Sequence, residues 1–287
     1  MTADFAVAVT EWYADAARSL PWREPSCGAW GVLVSEFMLQ QTPVARVLPV
    51  WSEWMARWPT PRALAAEPAG AAIRAWGRLG YPRRALRLHA AAVAITDEYD
   101  GVVPLDPLVL RRLPGVGDYT AAAVAAFAGG DRVAVLDTNV RRVYARVFDG
   151  IADAPGSGPT VGERAAALAR VPEPPGHYSV AVMELGALVC TARAPRCASC
   201  PVAASCAWRL AGYPAAAATR RTQTYAGTDR EVRGRLLAVL RASDGCVEAG
   251  ALDLVWPDEA QRTRALAGLV ADGLAEQVGE TAYRLPA

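Results

Sequence analysis

The chain has 287 residues, 53% of them hydrophobic, and its 30 basic residues nearly balance 29 acidic ones for a formal net charge of +1. That content supports a large buried core, excludes a disordered chain, and at about 150 residues per domain suggests two domains. All 30 basic residues are arginine, which excludes Schiff-base chemistry from a lysine amine and a Walker-type phosphate lysine.

In chain order, MTADFAVAVTEWYADAARSL places Asp4 and Glu11 among apolar residues spaced about 3.6 apart, the pattern of a helix and not of a signal peptide. No run approaches the roughly 18 apolar residues of a membrane span, so the expected location is the cytoplasm. Residues 29–47, AWGVLVSEFMLQQTPVARV, are apolar nearly all round and predict a buried helix. Within it Glu36 stands among Val32, Leu33, Phe37 and Met38, where its ionised form is disfavoured and it can give up a proton near neutral pH. A carboxylate at a polar helix edge is the alternative. Further on, LRRLPGVGDYTAAAVAAFA at 110–128 predicts a helix to Leu113, a tight turn, and a second helix from about Asp118. Gly115 and Gly117 let the backbone approach a ligand closely, and amides at a new helix start bind phosphate without reading bases. In RVAVLDTNVRRVYARV, Asp137 reads either as an N-cap paired with Arg141 or as a carboxylate beside a developing cation.

The stretch CTARAPRCASCPVAASC holds four of the six cysteines, at 190, 197, 200 and 206. In a cytoplasmic chain clustered thiols bind metal or react. One CxxC flanked by single cysteines, with no histidine nearby, suits the four corners of an iron-sulfur cube; a zinc loop is the alternative. Arg193, Arg196 and Arg209 read either as a basic rim that meets a phosphate chain or as solvated arginines. Cys27 and Cys246 read as packing residues. Residues 211–228, AGYPAAAATRRTQTYAGT, have the low complexity of a linker. Beyond them three helical stretches, REVRGRLLAVLRAS, VEAGALDLVW and DEAQRTRALAGLVADG, precede a hairpin turning at Gly279 and Glu280, which suggests a winged-helix-like module. Through residue 228 there are 23 arginines and 19 acidic residues, and beyond it 7 and 10, so the negative tail argues for packing or a protein partner over DNA.

The order SEFMLQQT, LGY, LPGVGDYT, VLDTNVRRV, then ELGALVC opening the cysteine loop, resembles the MutY adenine DNA glycosylases of the endonuclease III superfamily over about residues 5–210. The resemblance implies an all-α, two-lobed helix-hairpin-helix glycosylase, with residues 1–210 as glycosylase domain. Its six-helix barrel lobe would span about 24–128, with the hairpin at 107–128. Its iron-sulfur lobe would comprise 1–23 and 129–210, followed by a linker at 211–228 and the module at 229–287. It further implies a monomer acting on duplex DNA in the nucleoid, where an adenine mispaired with 8-oxoguanine or guanine is flipped out and hydrolysed from its sugar.

Carried onto this chain, Glu36 matches the acid that protonates N7 of adenine, Asp137 the carboxylate that stabilises the oxocarbenium ion, and Asn139 its polar neighbour. Tyr119 stands where bifunctional relatives carry a lysine, and a phenol forms no imine, so hydrolysis without strand cleavage is expected. Gln41, Thr42, Leu79 and Tyr81 match residues around the lesion pair, Tyr81 being the aromatic wedge. Arg83, Arg84 and Arg87 are expected phosphate contacts. Trp22 and Arg23 resemble a pocket-lining pair, one residue further from Glu36 than in relatives. Gly115, Val116 and Gly117 form the DNA-binding turn. Cys190, Cys197, Cys200 and Cys206 would hold a 4Fe-4S cluster. Val180 replaces a Gln or Glu that many relatives point at adenine, and residues 229–287 are too short and too helical for the relatives' Nudix-like domain. A mispaired-thymine glycosylase and a catalytically silent iron-sulfur DNA-binding protein are the competing readings.

Overall fold

Alanine and leucine at helical spacing, broken by proline and glycine, make this a helical protein. The computed structural model describes residues 2–216 and 225–287, so much of the stretch read as a linker lies outside the described residues. The helices are α1 (Thr2–Ala16), α2 (Gly28–Leu39), α3 (Val44–Arg57), α4 (Pro61–Ala65), α5 (Ala69–Trp76), α6 (Arg83–Glu98), α7 (Pro107–Leu110) and α8 (Asp118–Gly129). They continue with α9 (Thr138–Tyr144), α10 (Val161–Arg170), α11 (Tyr178–Leu188), α12 (Ala207–Leu210) and α13 (Asp229–Ala242). Strand β1 (Val247–Glu248), helices α14 (Ala249–Asp253) and α15 (Glu259–Ala271), and strands β2 (Glu276–Val278) and β3 (Ala282–Arg284) complete the chain. Among the described residues no helix is long and apolar enough to cross a membrane.

The chain forms two compact units. The first gathers residues up to 32, 105–111 and the described residues from 116 to 216. Its core is aromatic: Phe5 meets Tyr144, Phe148 and Tyr178 edge-on, with ring centroids 6.2, 5.0 and 6.2 Å apart. Edge-to-face geometry of this kind adds to the burial of large rings. Helices α9 and α11 approach closely because position 186 is glycine; a Cβ there would lie 2.7 Å from the Asn139 Cβ. After Tyr144 the chain makes one π-helical turn, Ala145–Asp149, a wider coil often found at functional sites. The hairpin helices α7 and α8 also belong here. Asp106 caps α7 by accepting the Leu108 amide at 2.7 Å, and Arg111 pairs with Asp118 at 2.9 Å. Helix α7 stops at Leu110, three residues short of the predicted end at Leu113, and a turn takes up the difference.

The second unit gathers residues 33–104, 112–115 and 225–287. Trp54 packs edge-on against Trp58 (4.8 Å) and Trp76 (5.6 Å). Helix α6 buries Arg84, Ala85, Leu88, Ala91, Ala92 and Ile95, one stripe at helical spacing. The C-terminal module shares this unit. Its antiparallel sheet has the order β1-β3-β2, with Tyr283 opposite both Val247 and Gln277, and the hairpin turns at Gly279, φ +63. The segment read as a second helix, VEAGALDLVW, instead begins with β1 and is helical only over Ala249–Asp253, because Val247 and Glu248 pair with β3. The module docks on α5 and α6. Arg241 Nε donates to the Ile73 carbonyl (3.0 Å), Arg74 Nη2 to that of Ser243 (2.6 Å), and the Gly70 amide to that of Pro286 (2.8 Å). Arg83 pairs with Asp272 at 3.3 Å. Packing, which the tail's acidity suggested, is what these contacts show. Cys246 is exposed and not a packing residue, whereas Cys27 is half-buried.

Candidate active site and cysteine cavity

In the second unit, Glu36 lies on α2 and is 5% exposed, between the buried Ser35 and Phe37. The apolar helix predicted around it exists. Past its end the backbone twists: Gln41 has φ +56, and on a second loop Tyr81 has φ +47. Left-handed backbone is uncommon outside glycine and clusters at functional sites. One buried side chain ties the two loops together. Arg84 Nη1 donates to the carbonyls of Phe37 (2.8 Å), Met38 (3.0 Å) and Gln40 (2.6 Å), while Nη2 donates to Thr42 Oγ1 and the Gly80 carbonyl, both at 3.0 Å. Thr42 Oγ1 in turn donates to the Leu79 carbonyl at 3.3 Å. Burial lowers the Arg84 pKa to about 10, so the group stays charged. Arg84 is thus a brace and not a phosphate contact, and Leu79 and Thr42, 3% and 6% exposed, support the loops from within. Tyr81 and Gln41 are the exposed members.

The predicted glycine turn has two distinct roles. At Gly115, φ +79, a Cβ would lie 2.7 Å from the Arg87 Cβ and 2.9 Å from the Phe37 ring, so only glycine fits. Arg87 therefore packs its stem against this turn. Gly117, the residue before α8, faces open space, which leaves the helix start accessible to an anion. Val116 between them is buried, and Tyr119, in the first turn of α8, is half-buried.

In the first unit Asp137 caps α9, Oδ1 accepting the Val140 amide at 2.6 Å. The expected partner Arg141 pairs instead with Glu163 at 2.9 Å. Asp137 Oδ2 accepts from Asn139 Nδ2 at 2.8 Å. Asn139 Oδ1 accepts from Arg142 Nη2 at 2.8 Å, and Arg142 donates onward to the carbonyls of Cys190 (2.8 Å) and Gly186 (2.7 Å). A continuous polar chain thus runs from the Asp137 carboxylate to the first cysteine. Burial pushes the Asp137 carboxyl above its ordinary pKa, against the lowering bonds from Val140 and Asn139. Val180 is half-buried on α11.

Trp22 is buried, 7% exposed, and Arg23 ends on a group the sequence reading did not single out. Glu184 is fully buried, and Arg18 grips it with Nε at 2.7 Å and Nη2 at 2.6 Å while Arg23 Nη2 adds a bond at 2.7 Å. Its signal was present: Glu184 is the one charge in YSVAVMELGAL, the sequence of α11. Burial works against the carboxylate, yet the Arg18 and Arg23 bonds prevail and hold its pKa at about 2. Because the folded value lies below the ordinary 4.5, the stabilisation is complete above pH 4.5 and disappears as pH falls toward 2, an effect of about 3 kcal/mol. Glu184→Gln should lower stability at pH 7 by roughly that amount and flatten the fall in melting temperature between pH 5 and 3. An unchanged acid limb in thermal melts would refute the assignment.

Cys190, Cys197, Cys200 and Cys206 line one cavity with Val143, Val147, Leu185, Val189 and Trp208. Among the described residues no three His, Cys, Asp or Glu side chains are grouped to hold a metal ion. Arg146, in the π-helical turn, donates to Cys190 Sγ at 3.5 Å and to the Thr191 carbonyl at 2.8 Å, placing a buried cation against the thiols. Burial pushes the Cys200 thiol up to about 11. Arg193, Arg196 and Arg209 are exposed around the loop.

Residues 34–157 match the model of the HhH-GPD superfamily of base excision DNA repair proteins. The chain is 55% identical to the adenine DNA glycosylase of Mycolicibacterium smegmatis, over 97% of its own length and 95% of that protein's. It is 54% identical to that of Mycobacterium tuberculosis, over 96% and 91%. Among solved structures it resembles a thermostable thymine-DNA glycosylase with a TM-score of 0.65, covering 73% of this chain and 97% of that one at 24% identity. At that identity the likeness is one of fold.

Proposed function

The chain belongs to the adenine DNA glycosylases, within the HhH-GPD superfamily of base excision DNA repair proteins, and on that premise we propose that it removes adenine mispaired with 8-oxoguanine or guanine from duplex DNA. The observation that carries this reading is identity above one half extending over nearly the whole of both chains. The likeness to the thymine enzyme is of fold alone.

In this reading Tyr81 enters the base stack as the adenine leaves it, and unstacking costs a few kcal/mol that the protein must offset. Gln41, exposed on the braced loop, addresses the opened pair. Amides at the Gly117 turn hold the backbone through phosphate. Glu36 donates its proton to adenine N7. The C1′–N9 bond then breaks with its electron pair going to the base, which departs neutral. Asp137, ionised, stabilises the positive charge left on the sugar. Water supplies hydroxide to C1′, directly or after a transient Asp137 ester, and its proton restores Glu36. Tyr119 has no amine with which to form an imine, so the DNA strand stays intact.

The four cysteines would hold a 4Fe-4S cluster, which when bound supplies a rigid crosslink for the loop. Four cysteines lining one cavity, spaced as one CxxC between two single cysteines with no histidine nearby, support this reading. Arg146 beside Cys190 suits the negative charge of a thiolate-bound cluster.

The test uses the purified protein and duplexes holding A opposite 8-oxoguanine, A opposite G, T opposite G, and A opposite T. Adenine should leave the first two only, borohydride should trap no protein adduct, and the preparation should be brown with about four irons per chain. Release of thymine alone, or of no base at all, overturns the proposal. A colourless zinc protein overturns the cluster assignment.

A further inference from the structure

The C-terminal module, docked on α5 and α6, also reaches Tyr81. Helix α13 places the Arg230 guanidinium 5.3 Å from the centroid of the Tyr81 ring and 5.6 Å from that of Tyr225. Among the described residues the Arg230 side chain makes no hydrogen bond or ion pair, and these rings are what it engages. One turn later on the same face, Arg233 bonds Asp272, the carboxylate that also holds Arg83, two residues beyond Tyr81. The face of α13 is thus pinned to the start of α6 beside the turn that carries the ring. On that turn the braced Arg84 guanidinium lies 5.5 Å from the Tyr81 centroid.

Tyr81 is 45% exposed on a left-handed backbone. A ring so placed has rotamer freedom that must be lost when it enters a base stack, and holding it beforehand removes that cost from binding. Two guanidiniums attracted to its π-system do so, one immobile and one supplied by the module. The module's net negative charge hides this, because at the one point that matters it presents a cation. We propose that Arg230 is a positioning residue for Tyr81, through which the C-terminal module sets the direction of the wedge. The inference rests on Tyr81 acting as that wedge.

The experiment is a double-mutant cycle on the full chain. Affinity is measured by fluorescence anisotropy for a duplex carrying 2′-fluoro-2′-deoxyadenosine, whose glycosidic bond resists hydrolysis, opposite 8-oxoguanine. Tyr81→Ala alone should weaken binding about tenfold. Arg230→Ala should weaken it about 2–5-fold with Tyr81 present and no further in Tyr81→Ala, while Arg230→Lys keeps most of the affinity. Fluorescence of 2-aminopurine at the target position should fall with Arg230→Ala in parallel, a change that loss of folding stability would not cause at temperatures well below the melt. Equal losses in both backgrounds would mean that Arg230 acts on DNA independently, and the proposal fails. No loss from Arg230→Ala where Tyr81→Ala costs tenfold also overturns it. A harmless Tyr81→Ala overturns the wedge reading itself and takes the present inference with it.

Discussion

Glu36→Gln is expected to abolish adenine release, lowering the single-turnover rate on A opposite 8-oxoguanine by about 10³-fold or more, while the duplex binds as tightly as before. The side chain is 5% exposed in the middle of α2, and glutamine has nearly the same volume, so the helix has no reason to move. What disappears is the proton. An unprotonated adenine anion is a poor leaving group, and a positioned acid contributes typically 10²–10⁴-fold. The check pairs a gel assay of alkali-sensitive sites with a binding titration of the same preparation. A rate within tenfold of the parent, or a loss of binding to match the loss of rate, would remove Glu36 from the role of acid.

Asp137→Asn should cost about 10³-fold in the same assay, with a melting temperature within roughly 4 °C of the parent. Two opposing changes keep the stability effect small. The carboxyl is buried and its pKa raised, so removing the charge relieves a desolvation cost. Asparagine Oδ1 can still cap Val140, but its amide then faces Asn139 Nδ2, and a hydrogen bond worth about 1 kcal/mol is lost. Since both routes for water to reach C1′ need the negative charge, the rate cannot be recovered by either. A variant that cleaves within tenfold of the parent would show the sugar cation to be stabilised elsewhere; one that does not fold would show Asp137 to be a cap first.

Local chemistry was legible in the sequence. The apolar helix around Glu36, the turn at Gly115 and the cap that Asp137 makes each depend on residues within one short window, and the structure forms all three, although Arg141 pairs elsewhere and α7 ends early. The groups that were misread or passed over depend on partners far along the chain. Glu184 takes its bonds from Arg18, 166 residues away, and in isolation was only a marker in ELGALVC. Arg84 follows Tyr81 among other arginines and so reads as a phosphate contact, yet its Nη1 donates to carbonyls more than 40 residues earlier. Arg142 and Arg146 were two arginines in an apolar helix until α11 and the cysteine loop were packed beside them. Strand β1 is two residues long, and its pairing with β3 overrides a helical pattern too short to resist it.

The seam that joins the C-terminal module to α5 ends largely on main-chain oxygens: those of Ile73, Arg241, Ser243 and Pro286. A carbonyl is present whatever residue carries it, so this junction recognises the path of a backbone and is indifferent to most of the letters written along it. Natural variants could therefore exchange many residues of the module without undocking it, and a chimaera that transplants a tail of the same trace should seat correctly if Arg74, Arg241 and the unsubstituted α-carbon of Gly70 are retained.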